Sequence, residues 1–177
     1  MPFSSLLLSA LTPDSTLKEN NIGITFKRNQ FDTSKETILL FHSDDEKTHF
    51  RNIWLRKNDR GCVNSQCCDG IIFYHSIDKK SSGTICFVEL KGNDIKHAVE
   101  QILQTYKIIK TALFEAQIQI DKIRWKAVII SSAAKPKNNV DILKPLTDVF
   151  EKGKEENVIF RHIGGGNNYE ITNFIRS

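Results

Sequence analysis

Residues 67–132 constrain the fold most, because their apolar pattern changes period in a fixed order. Asp69–His75 (DGIIFYH) and Thr84–Leu90 (TICFVEL) are rich in β-branched and aromatic residues, the composition of strands. The polar run Ile77–Gly83 (IDKKSSG) joins them, and so short a connection favours an antiparallel hairpin. Gly92 and Asn93 break the second strand, and Asp94 is a good N-cap. Ile95, Ala98, Val99, Ile102, Tyr106, Ile109 and Leu113 then fall at helical spacing, which predicts a helix to about Ala116 with one buried stripe. Ile123–Ser131 (IRWKAVIIS) reads as a strand whose continuous apolar end implies cover on both faces. A helix between two strands makes a crossover to a parallel neighbour. The expectation is therefore an α/β domain with a central mixed sheet flanked by helices.

The flanks read less sharply. Thr37–Phe41 (TILLF) is a compact apolar run of strand character, and Gly23–Lys27 a short strand. Leu6–Leu11 and Asp44–Arg56 suit helices, the latter with Phe50, Ile53 and Trp54 at helical spacing and Ser43 or Asp44 as cap. Val140–Lys152 reads as a helix interrupted early by Pro145. Val158–His162 and Tyr169–Ile175 read as strands on either side of the turn Gly164–Asn168. At 177 residues the chain suits a single domain, 1–177, that can bury a core without disulfides.

Composition adds few constraints. A net charge of +4 permits a polyanionic partner without requiring one. The four cysteines, Cys62, Cys67, Cys68 and Cys86, lack the paired CxxC spacing of a zinc site and suit reduced thiols in a cytoplasmic protein. The start lacks the basic region of a signal peptide, and no apolar run is long enough to cross a bilayer, so no membrane role is expected.

The chemistry concentrates at one strand end. Glu89 and Lys91 are two apart, so they project from the same face, while Leu90 points into the opposite layer. Asp69 opens the partner strand and reaches Glu89 only if the hairpin pairs with a suitable stagger. Two carboxylates can hold Mg²⁺ or Mn²⁺, which neutralises a phosphodiester and acidifies a bound water. A neighbouring lysine can orient that water or stabilise developing charge. The tripeptide alone is cheap, recurring as Asp45-Glu46-Lys47, Asp78-Lys79-Lys80 and Asp94-Ile95-Lys96. Only Glu89-Leu90-Lys91 ends an apolar strand, follows a hairpin that carries an Asp, and precedes an amphipathic helix. The alternative is a strand-end salt bridge worth about 0–1 kcal/mol.

The order Asp69, spacer, Glu89-Leu90-Lys91, helix, strand resembles the PD-(D/E)xK nuclease superfamily, which includes restriction endonucleases and Holliday-junction resolvases. The resemblance covers residues 67–132, with Cys68 where the family name has proline. It implies a restriction-endonuclease-like αβββαβ core at about 36–132, with a helix and strands over 138–177 completing the sheet. It implies Asp69 and Glu89 as metal ligands and Lys91 as the catalytic lysine. Some branches place a Gln, often with a Tyr, on the following helix. Gln101 is the better candidate here, with Gln104 and Tyr106 nearby and Tyr106 on the buried stripe. An upstream Glu joins many family sites, and Glu36 and Glu46 both remain open.

The implied function is a Mg²⁺-dependent nuclease acting on nucleic acid, DNA before RNA, as a homodimer or as a subunit of a larger complex. The competing expectation is a non-catalytic binding or interaction subunit that keeps the fold. Lys107, Lys110, Lys122, Arg124, Lys126, Lys135 and Lys137 either flank the active-site edge and hold phosphates or form ordinary solvated surface. Gly164-Gly165-Gly166 lacks the Lys-Ser/Thr of a phosphate loop and reads as a turn. His97 could approach the site from the first helical turn, while His75 and His162 end strands, and the expectation for each is an ordinary exposed histidine.

Overall fold

The computed structural model describes residues 16–19, 22–26, 31–43, 67–78, 83–132, 139–150, 157–162 and 168–177. The expected helices at Leu6–Leu11 and Asp44–Arg56, and with them Glu46, lie outside these residues, as do Cys62, Lys135, Lys137 and the triple glycine.

The described strands form two sheets. The larger has the order β3 (Glu36–His42), β4 (Gly70–Ser76), β5 (Thr84–Lys91), β6 (Arg124–Ser131), β7 (Val158–His162). β3, β4 and β5 are antiparallel neighbours, whereas β5, β6 and β7 run parallel. The parallel pairs require crossovers, supplied by α1 (Ile95–Glu115) and α2 (Asn139–Phe150). Both helices pack on the same face, as successive crossovers of one hand must when the strand order advances steadily across the sheet. The expected α/β architecture with a mixed sheet is present. The described elements run βββαβ through residues 36–131.

β1 (Thr16–Glu19), β2 (Ile22–Thr25) and β8 (Asn168–Glu170) form a second, three-stranded sheet. The expected strand Tyr169–Ile175 is divided: β8 ends at Glu170, and Thr172–Arg176 is a short helix, α3. Glu170 Oε1 accepts the Thr172 amide at 2.7 Å, satisfying a donor at the start of that helix. Its β8 segment therefore completes the small sheet, and only β7 completes the large one. A further difference is Pro145, which sits inside a continuous α2 with its ring on the exposed side.

Alternation along the strands sorts the core into two layers. Ile85, Phe87, Ala127, Ile129 and Val158 face α1 and α2. Cys86, Val88, Leu90, Val128, Ile130 and Ile159 face the small sheet and α3. Apolar side chains on both faces of β5 and β6 follow directly from this double cover. An aromatic group clamps the helices to the first face: Phe87 and Trp125 stack at 6.2 Å, and Tyr106 meets both rings edge-on. Such pairs add about 0.5–1.5 kcal/mol each beyond their buried area. Among the described residues no helix is long and apolar enough to cross a membrane.

Candidate active site

Register decides whether the charged residues meet. β4 and β5 pair Gly70 with Val88, so continuing the ladder by one step sets Asp69 opposite Glu89. Ile71 and Phe87, two residues further into each strand, face α1, and alternation aims Asp69 and Glu89 the same way. The two residues are bound reciprocally: the Asp69 amide donates to Glu89 Oε2 at 3.1 Å, and the Leu90 amide donates to Asp69 Oδ2 at 2.5 Å. Lys91 Nζ lies 2.8 Å from Glu89 Oε1. The structure thus brings together Asp69, Glu89 and Lys91.

Their environments differ. Glu89 is fully buried, Asp69 is half-buried, and the Lys91 side chain keeps 22% of its surface exposed. Burial pushes the Glu89 carboxyl up to about 8; the Asp69 charge acts in the same direction, and Lys91 opposes both. A buried carboxylate beside a second carboxylate is a place where positive charge is favoured. The donors are oxygens, which suits a hard cation such as Mg²⁺ that takes one or two carboxylates and keeps several waters. Among the described residues no three His, Cys, Asp or Glu converge, and Asp69 and Glu89 are the two that could hold a cation here.

A polar layer beneath Asp69 holds the backbone that carries it. Ser43 donates its amide to Asp69 O at 3.0 Å and its hydroxyl to Cys68 O at 2.5 Å. The Cys68 amide donates to Thr105 Oγ1 at 2.9 Å, and that hydroxyl donates to Gln101 O at 2.8 Å. Gln101 is buried, and its Nε2 donates to Cys67 O at 2.9 Å. Its Oε1 has no hydrogen-bond partner among the described residues. Gln101 is therefore lodged next to the segment leading into Asp69, away from the solvent side of α1. Ser43 and Thr105 were not anticipated as support. The available signal was Thr105, a polar residue four after Gln101 on the buried side of α1.

Other candidates lie elsewhere. Glu36 sits at the far end of β3, opposite Ser76, about 23 Å along β4 from Asp69 at ~3.3 Å per residue. There it accepts hydrogen bonds from Tyr74 Oη at 2.6 Å and Arg176 Nε at 2.9 Å. That placement removes Glu36 as a companion of Asp69. His97 is paired with Glu100 at 3.8 Å on exposed helix surface. Tyr106 belongs to the aromatic group and Gln104 is half-buried.

Lys126 fits neither expectation for the basic stretch, phosphate-holding edge or solvated surface. It is fully buried on the α3 side of the sheet, where its ammonium donates to Phe174 O and Ser177 Oγ, both at 2.7 Å. Lys122 and Arg124 stand at the amino end of β6, away from Asp69 and Glu89, and Arg124 donates to Ser177 O. Lys110 lies over the Tyr106 ring at 5.3 Å, and Lys107 is exposed further along α1.

No protein-family model matches this chain, and no curated protein or solved structure matches it.

Proposed function

We propose that this protein is a metal-dependent nuclease of PD-(D/E)xK type that hydrolyses phosphodiester bonds of nucleic acid, DNA before RNA. One observation carries the reading: Asp69 and Glu89 meet across the β4–β5 ladder with Lys91 beside Glu89, at the carboxyl ends of the parallel strands of a mixed sheet. That edge is where open α/β sheets take their ligands.

Asp69 and Glu89 are the residues that would hold Mg²⁺ or Mn²⁺. When bound, the ion supplies charge neutralisation at the phosphate and an acidified water. The chain supplies position. The Leu90 amide fixes one oxygen of Asp69, and the Asp69 amide fixes one of Glu89, so neither carboxylate must be oriented at the moment of reaction. Lys91 is partly exposed and carries donors that can turn toward a phosphate oxygen or a water. Gln101 steadies the Cys67 carbonyl and through it the approach to Asp69.

The test is cleavage of single-stranded DNA, double-stranded DNA and RNA with Mg²⁺ or Mn²⁺, wild type beside Lys91→Ala from identical purifications. Cutting that stops with EDTA and falls at least ~10²-fold in Lys91→Ala is expected, the cost of one lost charge-stabilising group. Equal cutting by both proteins overturns the assignment. A second reading, a binding or interaction subunit that keeps the fold, draws on a specific feature: the Lys91 ammonium already stands 2.8 Å from Glu89 Oε1, on the oxygen a metal would use. Nucleic-acid binding without cutting and without metal uptake would favour it.

A further inference from the structure

Lys91 does not stand alone on its edge. The parallel registers place Lys91 opposite Ser131, and Ser131 opposite His162, so the three form one lateral row across β5, β6 and β7. They share a face. Phe87, Ile129 and Phe160 belong to the core under α1 and α2, and each row residue stands an even number of positions beyond one of them. Each also ends its strand at the carboxyl edge. Exposure is lowest in the middle of the row: Ser131 is buried with its hydroxyl donated to Gly92 O at 2.6 Å, while Lys91 is partly exposed and His162 exposed. Ser131 therefore ties down the turn after Lys91 and leaves a low floor between two raised donors.

Strand spacing sets the span. Two steps of about 4.8 Å put the backbones of Lys91 and His162 ~10 Å apart. That is roughly three nucleotides at 3.4 Å of axial rise each. We propose that His162 is a second phosphate-contacting residue, and that the substrate strand lies across the sheet edge from Lys91 over Ser131 to His162. This rests on the nuclease reading and adds a direction of travel. The role is in binding: His162 is two strands away from the paired carboxylates, so it positions substrate and leaves the chemical step to them.

The experiment measures binding of labelled single- and double-stranded DNA and RNA oligonucleotides in EDTA, so that nothing is cut. It compares wild type, His162→Ala, His162→Lys and Lys122→Ala, the last an exposed cation at the opposite end of β6. Steady-state cleavage with Mg²⁺ accompanies it, and thermal melts confirm that each variant folds. His162→Ala should weaken binding roughly fivefold, the size of one solvent-accessible contact to a charged group, and raise KM with kcat unchanged. His162→Lys should restore affinity, and Lys122→Ala should change little. A His162→Ala protein that binds like wild type, or loses no more than Lys122→Ala, overturns the proposal while leaving the nuclease reading to its own Lys91 test. A fall in kcat at unchanged KM would also overturn it. Wild type that binds none of the oligonucleotides in EDTA overturns the proposal, and if it also cuts none with Mg²⁺ the nuclease reading falls with it.

Discussion

Glu89 is a position at which ionisation is expensive for the fold. It is a carboxylic acid with no exposed surface at the end of an apolar strand, and its carboxyl titrates at about 8 because burial and Asp69 both oppose ionisation. The sign of the linkage follows. With the folded value raised above the unfolded 4.5, the stability Glu89 contributes is full below 4.5, falls as pH rises, and is lost above about 8. Glutamine cannot ionise, so Glu89→Gln escapes that loss. In metal-free melts, the melting temperature of Glu89→Gln relative to wild type should rise between about pH 5 and about pH 9. Added Mg²⁺ should raise the melting temperature of wild type and not of the variant. A constant difference across that range would show that Glu89 is not ionising in a buried site.

Elements were read from the sequence wherever one face or both faces were uniformly apolar. The helix from Ile95, capped by Asp94 through the His97 amide at 3.0 Å, and the strands β4 to β7 all follow from local pattern. The Asp69–Glu89 pairing is not legible in the sequence because residue spacing does not fix hairpin stagger; the ladder does. Lys126 was unreadable for a different reason. Its partners are Phe174 and Ser177, far along the chain, and a lysine in an apolar strand looks like a surface residue until α3 closes over it. The same distance hides β8, whose parallel partner β2 lies near the other end of the sequence. Lys126 donates to the carbonyl of Phe174 and lies 4.7 Å from the Phe174 ring, so it holds α3 by a helix-end hydrogen bond and a ring contact together. Lys126→Ala should destabilise the fold by about 2–4 kcal/mol, from the cavity and the unsatisfied carbonyl combined. Lys126→Met keeps the stem and should cost less. Chemical denaturation of the two variants checks the order; equal costs would mean that the packing of the stem contributes nothing.

At the scale of the molecule, opposite ends of the large sheet carry opposite electrostatic designs. The carboxyl edge of β5 to β7 gathers Glu89, Lys91, Ser131 and His162, with Asp69 across the ladder from Glu89. At the far end Glu36 is satisfied internally, by Arg176 and Tyr74, and Arg176 also lies 4.6 Å from the Phe31 ring. The Arg176 guanidinium holds the Glu36 carboxyl at about 2. A lowered folded value means that its stability is present above the unfolded 4.5 and lost as pH falls toward 2. Arg176→Gln should therefore lower stability near neutral pH and flatten the acid limb of the pH–stability curve. Parallel acid limbs in the two proteins would refute that role. The pair joins β3 to α3, so it fastens the layer that covers the back of the sheet, away from the front edge that carries Asp69, Glu89 and Lys91.

Whether that front edge holds a metal is most directly measured by anomalous diffraction from crystals equilibrated with Mn²⁺, wild type beside Asp69→Asn. The account predicts a single strong peak between Asp69 and Glu89 in wild type, coordinated by an oxygen of each, that is lost or much weakened in the variant. Crystals saturated with Mn²⁺ that show no peak there, or the same peak in both proteins, would contradict it.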